Sequence, residues 1–120
     1  MSRFEGVADL APQRIWEGVT ARAVHGERLT LALIELDPDS LVPEHSHDNE
    51  QVGIMVEGSF VMRVGGETCE LRRGDTWSIP PDSAQDRDPR SRESRSRERA
   101  RALKRGRFAA AVAPIHQASS

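Results

Sequence analysis

The sequence predicts an all-β fold, a small barrel or sandwich that occupies the first two thirds of the chain. Three observations carry that reading. Apolar runs of strand length recur between residues 28 and 81, each closed by a turn signal. No segment in that stretch holds a helical hydrophobic period. Two histidines, His45 and His47, stand two residues apart, the spacing that puts both side chains on one side of a strand.

The elements follow in order. Residues 28–36 (Arg-Leu-Thr-Leu-Ala-Leu-Ile-Glu-Leu) form the first clear run, ended by the turn cluster Asp37, Pro38, Asp39 and Ser40. Residues 52–56 form a second, stopped at Glu57 and Gly58, and residues 59–64 a third, closed by the hairpin signal Gly65-Gly66. Residues 68–71 are a fourth, and Arg73-Gly74-Asp75 turns into a fifth at 76–79, which Pro80-Pro81 ends. Ahead of these, residues 1–18 carry Phe4, Val7, Leu10, Ile15 and Trp16 and read as an N-terminal arm able to pack on a neighbour.

The stretch Glu44-His45-Ser46-His47-Asp48-Asn49-Glu50-Gln51 is the candidate site. Gln51, four past His47, shares its strand parity. Two imidazoles and an amide oxygen make a borderline-soft donor set that suits Fe, Mn, Ni, Cu or Zn. Glu50 beside Gln51 offers an anionic oxygen as a replacement ligand, while its opposite parity favours an exterior or supporting role, and both readings stay open. The same residues also fit a solvated turn that binds nothing, and the sequence leaves that alternative open.

The spacing resembles the first motif of the cupin superfamily: Gly, five residues, His-x-His, three or four residues, Glu, six residues, Gly. His45, His47, Gln51 and Gly58 fall at those places, with Gln51 for the Glu and Asp39 for the opening Gly. The family's second motif is Gly, five residues, Pro, x, Gly, two residues, His, three residues, Asn. Gly74 and Pro80 match it, while Asp82, Gln85 and Pro89 stand where the Gly, His and Asn belong. The resemblance covers residues 19–85. It implies a jelly-roll β-barrel with a divalent transition metal at His45, His47 and Gln51, and with Gln85 as a weak fourth ligand. It also implies a homodimer and a small-molecule substrate. Among small cupins the pattern is most similar to those that linearise unsaturated uronates. On that model the metal assists isomerisation or ring opening of a sugar acid or diketone-like metabolite. Dioxygenases and non-catalytic binding proteins share the pattern.

The barrel is expected to be incomplete at its C-terminal strands. The net charge of -2 hides an asymmetry: residues 1–82 hold 7 Lys or Arg against 15 Asp or Glu, and residues 83–120 hold 10 against 4. Residues 86–107 repeat Arg with Ser or Glu, and burying so many guanidinium groups in one strand is prohibitive. Residues 86–120 therefore read as a basic tail of low order or weak helix, with residues 108–115 offering at most an edge strand because of Pro114. A solvated segment, a nucleic-acid-binding arm and an ending from a shifted reading frame all stay open. The acidic interruptions and the lack of any aromatic residue between Ser83 and Arg107 weigh against nucleic acid.

Cys69 is the single cysteine, so no intrachain disulfide forms, and its place in a strand reads as a small core residue. No apolar stretch has the length of a signal peptide or a membrane span, so a cytoplasmic protein is expected. His25 precedes a Gly-Glu turn and reads as exposed. His116 lies too far along the chain to assign, and Trp77 reads as core or mouth lining.

Overall fold

A computed structural model describes residues 4–46, 49–81 and 97–113. Ten strands follow a single 3-10 turn at Val7–Asp9, and no α-helix occurs among the described residues. The strands are β1 (Gln13–Trp16), β2 (Val19–His25), β3 (Thr30–Leu36), β4 (Leu41–Ser46), β5 (Gln51–Glu57), β6 (Ser59–Val64), β7 (Glu67–Arg72), β8 (Thr76–Ile79), β9 (Arg97–Ala102) and β10 (Gly106–Val112). They form a six-stranded sheet in the order β1-β2-β3-β10-β5-β8 and a four-stranded sheet in the order β4-β9-β6-β7, with every pair antiparallel. This is the all-β architecture read from the runs at 28–36, 52–56, 59–64, 68–71 and 76–79.

The core lies between the two inner faces. Ile34, Leu36, Met55, Trp77, Ile79 and Phe108 come from the large sheet, and Val42, Phe60, Met62, Leu71, Ala100 and Ala102 from the small one. Phe60 stacks on Phe108 at 5.5 Å between ring centroids, and Trp77 meets both rings edge-on. Trp77 is thus a core residue. Its indole covers Gly53 on the neighbouring strand, where a Cβ would stand 2.3 Å from Cζ2.

The C-terminal segment corrects the sequence reading. Residues 97–112 are neither a low-order nor a helical tail, and the sheets are not left incomplete: β9 lies between β4 and β6, and β10 between β3 and β5. The physical reason is alternation. A strand buries only every second side chain. In β9 the buried positions are Glu98, Ala100 and Ala102, while Arg99 and Arg101 are exposed and Arg97 half-buried. No guanidinium has to enter the core. In β10 the alanines and Phe108 are small or apolar enough for a central position. Pro114, expected to confine this segment to an edge, lies outside the described residues, beyond the end of β10. The boundary at residue 85 therefore does not bound the barrel.

The N-terminal arm also folds onto its own chain. β1 pairs with β2 at the edge of the large sheet, and Arg22 Nη1 donates to the Val7 carbonyl at 3.1 Å. Two turn positions explain the motif glycines. Gly58 has φ +82°, and a Cβ there would stand 2.4 Å from the Arg105 carbonyl, where the β5–β6 turn meets the β9–β10 turn. Asp39, in place of the first motif's opening Gly, has φ 63°, a left-handed conformation that Asp tolerates better than most residues. Cys69 departs from the sequence reading: it is exposed, because β7 is an edge strand whose inward side is only partly covered.

The central position of β10 is testable. Phe108→Ala should lower unfolding free energy by about 3–5 kcal/mol in urea denaturation. Leu29→Ala, at a residue 60% exposed in the β2–β3 turn, should stay within about 0.5 kcal/mol. Equal small effects would show that β10 is not part of the core.

Candidate metal centre

Five strand ends meet at one mouth of the barrel. Residues 47–50 join the end of β4 to the start of β5, and β9 begins where β4 ends, with His45 opposite Glu98. β8 and β10 both end beside Gln51, which pairs with Ile79 and Val112. The side chains that face inward at this mouth are the candidate site.

His45 reaches the interior because of a bulge. From Val42 to His45 β4 advances three residues, while β9 advances two from Ala100 to Glu98. The extra residue switches parity, so that Val42 and His45 both face inward. Pro43 sits in this bulge on an edge strand, a place where its missing N–H costs no ladder bond. The Pro43 carbonyl then accepts a hydrogen bond from His45 Nδ1 at 2.8 Å. That bond fixes the ring's orientation and turns Nε2 into the mouth, the arrangement common to metal-binding histidines.

His45 Nε2 lies 3.0 Å from Glu98 Oε1. Glu98 is 6% exposed, so its carboxylate is removed from bulk water. The hydrogen bond to Glu98 raises the His45 pKa above its ordinary 6.5; burial opposes the shift, and the Pro43 carbonyl and the Glu98 charge add to it. Trp16 of β1 packs on the imidazole at 5.2 Å and closes that wall. Gln51 is 7% exposed and faces the same interior from the other sheet, and no hydrogen bond anchors its carboxamide among the described residues.

Of the sequence-derived ligands, the structure thus places His45 and Gln51 at one mouth. His47 and Gln85 lie outside the described residues, as does His116. Glu50 is exposed. His25 is exposed in the β2–β3 hairpin, with Nδ1 3.0 Å from Thr30 Oγ1. Sequence reasoning missed Glu98 and Trp16. Glu98 belongs to no motif, and only the alternation in Arg97-Glu98-Arg99-Ala100-Arg101-Ala102 marks it as the inward charge.

The donor set suits a divalent transition metal. An imidazole, a carboxylate and a carboxamide oxygen are within the range such metals accept. His, Cys, Asp and Glu side chains of the described residues form no cluster of three.

Comparison with known proteins agrees with the architecture. A family model described as "Cupin domain" matches residues 32–95, more than half of the chain. No curated protein matches it by sequence. Among solved structures, the chain is similar to an RmlC-like cupin from Shewanella frigidimarina, with a TM-score of 0.78 and 20% identity, covering 100% of this chain and 97% of that one. It is also similar to KdgF from Halomonas sp., with a TM-score of 0.76 and 19% identity over 99% of this chain and 98% of that one. A third likeness, to salicylate 1,2-dioxygenase from Pseudoaminobacter salicylatoxidans with gentisate, has a TM-score of 0.68 and 15% identity, covering 84% of this chain and 26% of that one. At these identities the likeness establishes the shared fold, and together with the matched family model it leads to one conclusion: the chain belongs to the cupin domain family.

Proposed function

We propose that this protein is a small metal-binding cupin that acts on a small oxygenated metabolite, a sugar acid or diketone-like compound, by isomerisation or ring opening. The observation that carries the reading is the oriented pair of His45 Nε2 and Glu98 Oε1 at 3.0 Å, with buried Gln51 at the same mouth. His45, His47, Gln51 and Gln85 are the proposed ligands, joined by Glu98 as an anionic oxygen donor. A metal there supplies Lewis acidity toward a carbonyl or hydroxyl oxygen. The chain's own residues do the rest. The Pro43 carbonyl fixes the imidazole, and Trp16 excludes water from its face. Likeness to KdgF, and the sequence resemblance to uronate-linearising cupins, support the substrate class. With no membrane-length helix among the described residues and a single cysteine, a cytoplasmic setting is proposed.

The same contact favours a second reading. A protonated His45 paired with Glu98 is a stable arrangement without metal, and it would suit a barrel that binds a small ligand and does not turn it over.

Metal content decides between the two. Protein purified without chelators should hold about one transition metal per chain by elemental analysis. His45→Ala and His47→Ala should each abolish it, Glu98→Ala should weaken it about 10–100-fold, and His116→Ala should leave it unchanged. Full metal in His47→Ala would overturn the ligand assignment. No metal even after reconstitution would leave the binding-barrel reading in its place.

Proton and metal compete for His45 Nε2, so the two forms respond oppositely to pH. In metal-free protein the raised His45 pKa contributes stability that is complete below 6.5 and is lost as pH rises through the folded value. Chelated protein should therefore unfold at lower urea as pH is raised from about 6 to 9, and Glu98→Gln should flatten that trend. Metal affinity should rise over the same range, because the ligand must be deprotonated.

The proposed assembly is a homodimer. On the outer face of the large sheet, the ladder aligns Leu33, Ala109 and Ile54 in one row and Val24, Leu31, Ala111 and Val52 in the next. Leu31, Ile54 and Val52 are 42–46% exposed, which leaves a contiguous apolar patch of the kind that marks an interface. Ile54→Glu should halve the mass seen in light scattering. An unchanged dimer, or a wild-type monomer, would remove this face from the account.

A further inference from the structure

The outer face of the four-stranded sheet carries an arginine cluster that the metal centre does not use. Arg97, Arg99 and Arg101 leave β9 on the side away from the core, and Arg63 leaves β6 on the same side. The ladder sets Arg63 directly opposite Arg99. Opposed positions on antiparallel strands hold their Cβ atoms about 4.5–5.5 Å apart, and like charges there destabilise the sheet. Fold alone gives no reason to keep such a pair.

The neighbouring acids do not neutralise it. Glu44 reaches Arg97 at 3.8 Å, Asp39 reaches Arg101 at 3.5 Å, and Glu70 is held by Arg72 at 2.6 Å. Among the described residues no carboxylate pairs with Arg63 or Arg99. Arg63 Nε donates to the Gly65 carbonyl at 3.2 Å, which orients its fork and leaves the terminal N–H donors for another group. The surface here is concave. A cavity of about 430 Å³ is lined by Glu44, Arg63, Gly65, Arg97, Glu98 and Arg99. A second, of about 590 Å³, shares Glu44, Arg63 and Arg99 with the first and adds Leu41, Val61 and Leu103. Two guanidinium groups thus flank a partly apolar hollow.

We infer that Arg63 and Arg99 bind the phosphate group of a small organic phosphate, whose apolar body rests against Leu41, Val61 and Leu103. The charge sets the class. A phosphate dianion neutralises both guanidiniums and accepts from both forks, while a carboxylate answers only one. Nucleic acid fits less well, since none of the residues lining either cavity is aromatic and no base could stack. The site lies on the outside of the barrel and does not rest on the metal assignment.

Isothermal titration of the full chain with phenyl phosphate, inorganic phosphate, benzoate and a single-stranded oligonucleotide, all at constant ionic strength, tests this. Phenyl phosphate should bind more tightly than inorganic phosphate, and benzoate should bind more weakly than phenyl phosphate. Arg63→Gln with Arg99→Gln should weaken phenyl phosphate about tenfold or more. Arg63→Lys should lose part of the affinity, and Arg72→Gln, whose guanidinium is already engaged, should lose none. A second readout needs no ligand: Arg99→Gln alone should raise the melting temperature, because it removes the opposed like charge. The proposal is overturned if wild-type protein binds no phosphate, if the double variant binds as well as wild type, or if the oligonucleotide binds more tightly than phenyl phosphate through the same arginines. A lower melting temperature in Arg99→Gln would likewise count against it.

Discussion

The consecutive strands β9 and β10, one in each sheet, are the elements through which both sheets are continuous. Without β10 the large sheet separates into β1-β2-β3 and β5-β8, and without β9 the small one separates into β4 and β6-β7. Ladder bonds from these two strands therefore bring together segments that are distant in sequence, a non-local topology whose loop-closure entropy must be offset late in folding. The offset comes from the inward side of these two strands. Phe108 completes the aromatic cluster with Phe60 and Trp77, while Ala100, Ala102 and Ala110 let the two sheets approach. Gly58 belongs to the same device, since the turn it makes leaves room only for a hydrogen beside the Arg105 carbonyl.

β9 also builds the mouth. Register to β4 places Glu98 opposite His45, and the bulge at Pro43 aims the imidazole at it. A buried carboxylate is tolerable only when paired, and removing one partner of such a pair typically costs about 3–5 kcal/mol. The contact of Glu98 with His45 depends on the imidazole proton. Above the His45 pKa the neutral ring, with Nδ1–H held by Pro43, has no donor for Glu98. His45 and Glu98 are the residues that would hold a cation here, and its charge would favour the ionised carboxylate beside a neutral ring. Fold stability and site chemistry thus converge on one contact.

Much of this was legible in the chain. The runs at 28–36, 52–56, 59–64, 68–71 and 76–79 correspond to β3 and β5 to β8 within two residues at each end, because hydrophobic patterning and Gly, Pro and Asp turns report directly on local structure. The placement of His45 and Gln51 at one mouth also followed from spacing, though for His45 the bulge, not simple parity, turns it inward. β9 and β10 were not legible from composition. Ten basic residues in the last 38 dominate any average over that region, whereas the strand signal is in the parity of six residues. Glu98 was hidden for the same reason: a lone acid in an Arg-rich run looks like surface charge until the alternation is counted.

That alternation separates two chemistries on one strand. Glu98 faces a nearly dry interior, where a carboxylate interacts strongly with the imidazole 3.0 Å away. Arg99 and Arg101 face water on the other side of the strand, with Arg97 half-buried beside them. A guanidinium turned inward would face the desolvation penalty that rules out a buried arginine strand. Glu98 turned outward would lose its contact with His45. A one-residue slip of β9 would do both at once, so the sequence of this strand, unusual in composition, is strongly specific in register. The same slip would expose Ala100 and Ala102 and break their contact with Phe60 and Met62. Register of β9 is therefore enforced from the core, from the mouth and from the outer face together. This is why a segment so rich in charge can occupy the middle of a sheet.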